Sequence, residues 1–240
     1  MNRQAQAVVM LLFGGAILKA GSTDLYLRYV KEGLRPFLIG AGLLLVAAGV
    51  MTLWHELRPA RVRTEDEPGE EHAHHEPRVG WLLILPVLGL LLVAPPALGS
   101  FAAGQAGTVL TAQNAASDYP PLPAGDPIDI GLLDYASRAV FDEGRSLTGR
   151  TLRLTGFVTP GPGGSPMLAR IILSCCAADG RPIKVGLLGN TPNTVPADTW
   201  VQITGVYSTQ TAKDPVNDAV VPYLEVTTWQ ETATPKQQYE

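Results

Sequence analysis

The sequence predicts a membrane anchor of three helices joined to a small all-β, OB-like barrel domain with one short helix. Three observations predict it. Residues 36–54 and 79–117 carry no charged side chain, and the first eighteen residues carry only Arg3. Short strand signals separated by glycine and proline crowd the C-terminal half. Two phrases, LTGFV at Leu154–Val158 and ITGVY at Ile203–Tyr207, repeat a strand with an internal glycine, as expected of strands that bend into a small barrel. The chain is 46% apolar over 240 residues, but this segregation of charge excludes a single soluble globule. Eighteen basic against 22 acidic residues give a net charge of −4. No segment is strongly basic, so the lipid bilayer, and not nucleic acid, is the expected partner.

The first span covers Gln4–Ala20, with Lys19 snorkelling to the interface. A cleaved signal peptide is disfavoured, because Lys19 stands where small neutral residues should be. The second span, Pro36–Trp54, is nineteen uncharged residues, enough to cross a hydrocarbon core of about 30 Å. Proline suits its first turn and tryptophan its interfacial end. Gly40, Gly42 and Gly49 thin one side of this helix and could admit a close neighbour. Residues 1–54 thus hold two membrane helices. Residues 55–78 form a polar loop rich in histidine and acid, placed in the cytoplasm. Residues 79–98 form the third span, kinked at Pro86 and ended by Pro95 and Pro96.

Residues 99–125 read as a linker, residues 126–231 as the β domain and residues 232–240 as a tail. The domain opens with a helix at Gly131–Asp142, whose Leu132, Leu133, Ala136, Ala139 and Val140 recur at helical spacing. Strand signals follow at Arg150–Thr159, Leu168–Cys176, Arg181–Leu188, Thr199–Ser208 and Pro222–Gln230. About five strands favour a barrel over an immunoglobulin-like sandwich, which would need about seven. The arginines at positions 58, 61, 63 and 78 precede span three, and no Lys or Arg follows it until Arg138. The positive-inside rule therefore places the domain on the extracytoplasmic side of the cell membrane.

Two clusters carry candidate chemistry. His72, His74 and His75 lie among glutamates in the polar loop. Imidazole and carboxylate together suit zinc, nickel or copper, and a flexible loop makes that site weak, because binding must order it. The second cluster is Cys175-Cys176-Ala177-Ala178-Asp179, which holds the chain's only cysteines. If the strand runs through it, Cys175 shares parity with Ala169, Ile171 and Leu173 and points into the barrel, while Cys176 points out. A bulge or an early turn would bring both thiols to one ion, zinc being the expected cofactor. Three readings stand: buried structural thiols, a metal or ligand site, and a strained vicinal disulfide. Asp179-Gly180 also suits a hairpin turn. No Walker loop, GxSxG or HExxH motif occurs, and no histidine lies in the β domain, so no catalysis is expected.

With these residues in hand, the chain resembles a bacterial family of two-component permease subunits of unknown function. That family joins N-terminal membrane helices to a soluble domain with a Cys-Cys-x-Ala-Asp motif. Cys175, Cys176, Ala178 and Asp179 match it, as do LTGFV and the run from Asp198 to Tyr207. The histidine loop before the third span resembles the actinobacterial branch. The resemblance implies an accessory, non-catalytic subunit acting with a multi-spanning membrane permease, for metal-related transport. The alternatives are a stand-alone membrane-anchored metal-binding module and a membrane-anchored thiol redox protein. The family's Pro-x-x-Pro-Tyr tail is here Pro235-Lys236-Gln237-Gln238-Tyr239.

Overall fold

A computed structural model describes residues 3–57, 88–89, 93, 95–110 and 119–240. The chain divides into two compact units, Met1–Tyr26 with Glu32–Pro96, and Leu27–Lys31 with Ala97–Glu240. The expected histidine loop, including His72, His74 and His75, and most of the expected third span lie outside the described residues.

In the first unit, α1 (Arg3–Ser22) and α2 (Arg35–Leu57) are the two helices long and apolar enough to cross a membrane among the described residues. They pack on each other through small residues. A Cβ on Gly42 would lie 2.8 Å from Leu18 Cγ, one on Gly49 2.8 Å from Leu11 Cγ, and one on Gly14 2.8 Å from Val46 Cγ2. Two of the three glycines singled out in the second span thus face α1. Gly40 has open space instead. Arg35 Nε donates to Gly21 O at 2.9 Å, so the first residue of α2 satisfies a carbonyl at the end of α1.

In the second unit, a five-stranded barrel is closed. The strands are β2 (Thr151–Pro160), β3 (Pro166–Ile172), β4 (Arg181–Gly189), β5 (Trp200–Lys213) and β6 (Val220–Glu231). They run in the order β2-β3-β4-β6-β5, and β5 returns to pair with β2. Only β4 and β6 pair in parallel within the ring. This is the OB-like barrel the sequence led us to expect. A two-residue strand, β1 (Ile128–Asp129), lies parallel to β2 outside the ring. The repeated glycines have a steric reason. A Cβ on Gly156 would lie 2.7 Å from Ala169 O, and one on Gly205 would collide with Glu225 O, beside a register shift between Thr204 and Gly205.

The interior holds Leu154, Val158, Leu168, Ile183, Val185 and Ile203, all buried. Helix α4 (Leu132–Phe141) lays Leu132, Tyr135, Ala136 and Ala139 on this core. A second apolar cluster covers the outer face of β2 and β3 with Phe157, Ala169, Ile171, Leu173, Trp200, Tyr239 and Ala103. Ala103 belongs to a short helix, α3 (Ser100–Gln105). Residues 97 and 98, read from sequence as the end of the third span, and residues 99–110, read as part of a linker, are therefore packed into this unit instead, with Thr108 and Leu110 also buried. So is the end of the expected tail, where Tyr239 pairs alongside Ile171.

Candidate functional site

The outer cluster corrects the expected orientation of the thiols. Ala169, Ile171 and Leu173 are buried, but on the outside of the barrel, under Ala103 and Tyr239. Their apolar character therefore does not mark the barrel interior. β3 also stops at Ile172, short of the cysteines. Cys175 is exposed and Cys176 half-buried, and both thiols are free. The early turn, one of the alternatives open from sequence, is the one found.

The turn is organised by one carboxylate. Residues Ala177–Asp179 form a single 3-10 turn with Cys176 at its N-cap. Asp179 Oδ1 accepts the Ser174 N–H at 2.8 Å. Asp179 Oδ2 accepts the N–H groups of Cys175 at 2.8 Å and Cys176 at 3.1 Å, and the Cys175 thiol at 2.9 Å. Three consecutive backbone donors thus converge on a single side chain, the arrangement of a capping box carried to its limit. Gly180 has φ −58° and makes no left-handed turn. It is glycine because a Cβ would lie 2.6 Å from Leu98 Cδ1.

The electrostatics follow from these bonds. The Cys175 thiol, then the backbone N–H groups, hold the Asp179 carboxyl well below the usual carboxylate range. The Cys175 thiol is pushed up to about 11, first by its bond to Asp179 and next by Cys176. Cys175 is therefore a protonated donor at neutral pH and a poor nucleophile. The two thiol sulfurs and one carboxylate oxygen of Cys175, Cys176 and Asp179 lie within 4.8 Å of one another. Two thiolates and a carboxylate suit a soft or borderline cation such as zinc. Cys175, Cys176 and Asp179 would hold such a cation, with both thiol protons lost on binding.

Sequence reasoning missed what stands beside this turn. Residues Leu27–Lys31, between α1 and α2, belong by their contacts to the C-terminal unit. Val30 bridges Cys176 in antiparallel fashion. Lys31 N donates to Cys175 O at 3.0 Å, and Ala177 N donates to Tyr29 O at 2.7 Å. Tyr239 Oη donates to Arg28 O at 2.9 Å. The contacts of Tyr29, Val30 and Lys31 with the turn join main-chain segments some 145 residues apart, the Tyr239 bond spans 211, and no periodicity or motif signals them.

Residues 137–240 match the family model of the DUF1980 C-terminal domain, a domain of unknown function. No curated protein and no solved structure matches the chain. The match covers the barrel and the thiol turn, and it names no permease.

Proposed function

We propose that the protein is a membrane-anchored, non-catalytic metal-binding module whose β domain takes up a zinc-like cation at Cys175, Cys176 and Asp179. The observation that carries this reading is the convergence of the three donors within 4.8 Å in one turn. The turn is held by main-chain bonds on both flanks, so its donors are ordered before an ion arrives, which lowers the entropic cost of binding. Zinc takes four ligands, and the turn supplies three. The fourth position is left for water, for a transported ligand or for a side chain of a partner. A multi-spanning permease would be such a partner, as the sequence resemblance implies, and co-purification from membranes tests it.

The metal reading is tested by elemental analysis of the full chain in detergent, loaded with zinc and dialysed. Replacing His72, His74 and His75 with Ala first removes the loop ligands. In that background one zinc per chain should remain, and Cys175→Ser with Cys176→Ser should abolish it. Zinc retained equally by the doubly substituted protein would overturn the assignment.

A further inference from the structure

We infer that the inter-helix segment Leu27–Lys31 is the second wall of the thiol turn, so that the state of the thiols and the state of this membrane-helix link are thermodynamically coupled. The inference rests on the metal-site reading for its ligand, but on independent geometry for the wall. Cys176 is gripped from two sides. On one side, Asp179 accepts the N–H groups of residues 174, 175 and 176. On the other, the link takes the carbonyl of Cys175 and the N–H of Ala177, the two residues that flank Cys176. The peptide units on either side of Cys176 are thus tied to the link, one through the Cys175 carbonyl and the other through the Ala177 N–H. Lys31 adds a third tie, with Nζ donating to Leu173 O at 3.4 Å.

The link is also short. Three residues separate Lys31 from Arg35, the first residue of α2, and the four Cα–Cα steps between them cover at most about 14 Å when extended. The segment that walls the thiol turn is thereby joined to α2 by a short stretch of chain. A ligand that favours one arrangement of the turn must favour the matching arrangement of the link, and the reverse holds equally. The geometry points to a cation site whose occupancy is read by the α1–α2 link.

Ala177→Pro isolates this wall. Ala177 opens the 3-10 turn, where proline is well suited. Cys176 before it is extended at φ −150°, ψ 169°, as a residue preceding proline requires. The substitution leaves Cys175, Cys176 and Asp179 in place and removes the N–H that bonds Tyr29 O. The experiment uses the full chain in nanodiscs, with His72, His74 and His75 replaced by Ala. Zinc affinity is read by competition with a chromophoric chelator. Hydrogen exchange is followed at the Lys31 amide, with zinc and, separately, after alkylation of the thiols. The proline Cδ also takes the place of that N–H against Tyr29 O and displaces the link, so Ala177→Pro should weaken zinc binding by at least the roughly three- to tenfold worth of one hydrogen bond. Zinc should slow exchange at Lys31, and alkylation should speed it. If zinc fails to bind the unsubstituted protein, the metal reading falls, and the alkylation arm alone decides the coupling. Exchange at Lys31 that ignores both treatments, or equal zinc affinity in the Ala177→Pro protein, would overturn the inference.

Discussion

Asp179 shows how one side chain can be both scaffold and ligand. Its carboxylate accepts four bonds, with the Ser174 N–H on Oδ1 and the Cys175 N–H, Cys176 N–H and Cys175 thiol sharing Oδ2. An ion held by both thiolates takes the place of the two thiol protons, and of the four bonds to Asp179 only that from the Cys175 thiol is lost. Asp179→Asn separates the two roles. The amide has one acceptor oxygen, and its NH2 group would face N–H donors. Protection of the Ser174, Cys175 and Cys176 amides should fall in hydrogen exchange. The Cys175 thiol, no longer held up by its carboxylate acceptor, should titrate lower and react faster with iodoacetamide at pH 7. Unchanged alkylation by this variant would show that the Asp179 bond does not control the thiol. The sequence marked Asp179 as a candidate through its motif and as a turn residue through the following glycine. That its turn role is the gathering of three amides could not be read there, because it depends on where β3 ends.

The strands and the short helix were legible from alternation and helical spacing, since each has one face on the barrel core. The outer cluster was not. Residues 97–110 reach the domain through contacts that follow no period: Lys184 Nζ donates to Ala106 O at 2.9 Å, and Asp214 Oδ2 accepts the Thr108 N–H at 3.0 Å. Lys184 and Asp214 form a buried ion pair at 2.9 Å, with side chains 8% and 0% exposed. Burial opposes the Asp214 charge, but the Lys184 ammonium and the N–H groups of Val216 and Thr108 outweigh it and hold the carboxyl below its usual value. A depressed pKa stabilises the fold above the unfolded value, near 3.9, and that contribution is lost as pH falls through the folded value. Asp214→Asn leaves the Lys184 charge unpaired, at a cost of about 3–5 kcal/mol. Thermal unfolding should show this gap at pH 7 and a smaller one at pH 3. A gap that persists in acid would mean that shape, not charge, is what Asp214 supplies. The tail acts on an element in the same non-periodic way. Gly131 caps α4 without a side chain, and Glu240 supplies the missing acceptors to Leu132 N at 3.0 Å and Leu133 N at 3.1 Å. Glu240→Ala should cost about 1 kcal/mol, measured as a lowered unfolding temperature of the full chain.

At the scale of the whole molecule, connectivity constrains topology more firmly than charge does. The basic residues near the span ends divide almost evenly between the two faces, so the positive-inside rule gives a narrow preference. The link argues differently. If α1, α2 and the span expected at 79–98 all cross the bilayer, chain connectivity alone brings residues 27–31 and the β domain out at the same face. Single cysteines in a background lacking Cys175 and Cys176 test this without assuming an orientation. Gly33, with no heavy atom within 4 Å of a built Cβ, reports the link. The exposed Gln210 reports the β domain. Arg61 reports the loop after α2. Gly33→Cys and Gln210→Cys should react together with a membrane-impermeant maleimide on intact cells, and Arg61→Cys only after the membrane is opened. Labelling of Arg61→Cys alone on intact cells would keep three spans and turn the protein round, with the β domain in the cytoplasm. Labelling of Gly33→Cys and Gln210→Cys on opposite sides would remove the third crossing, and with it the docking of the link beside the thiols.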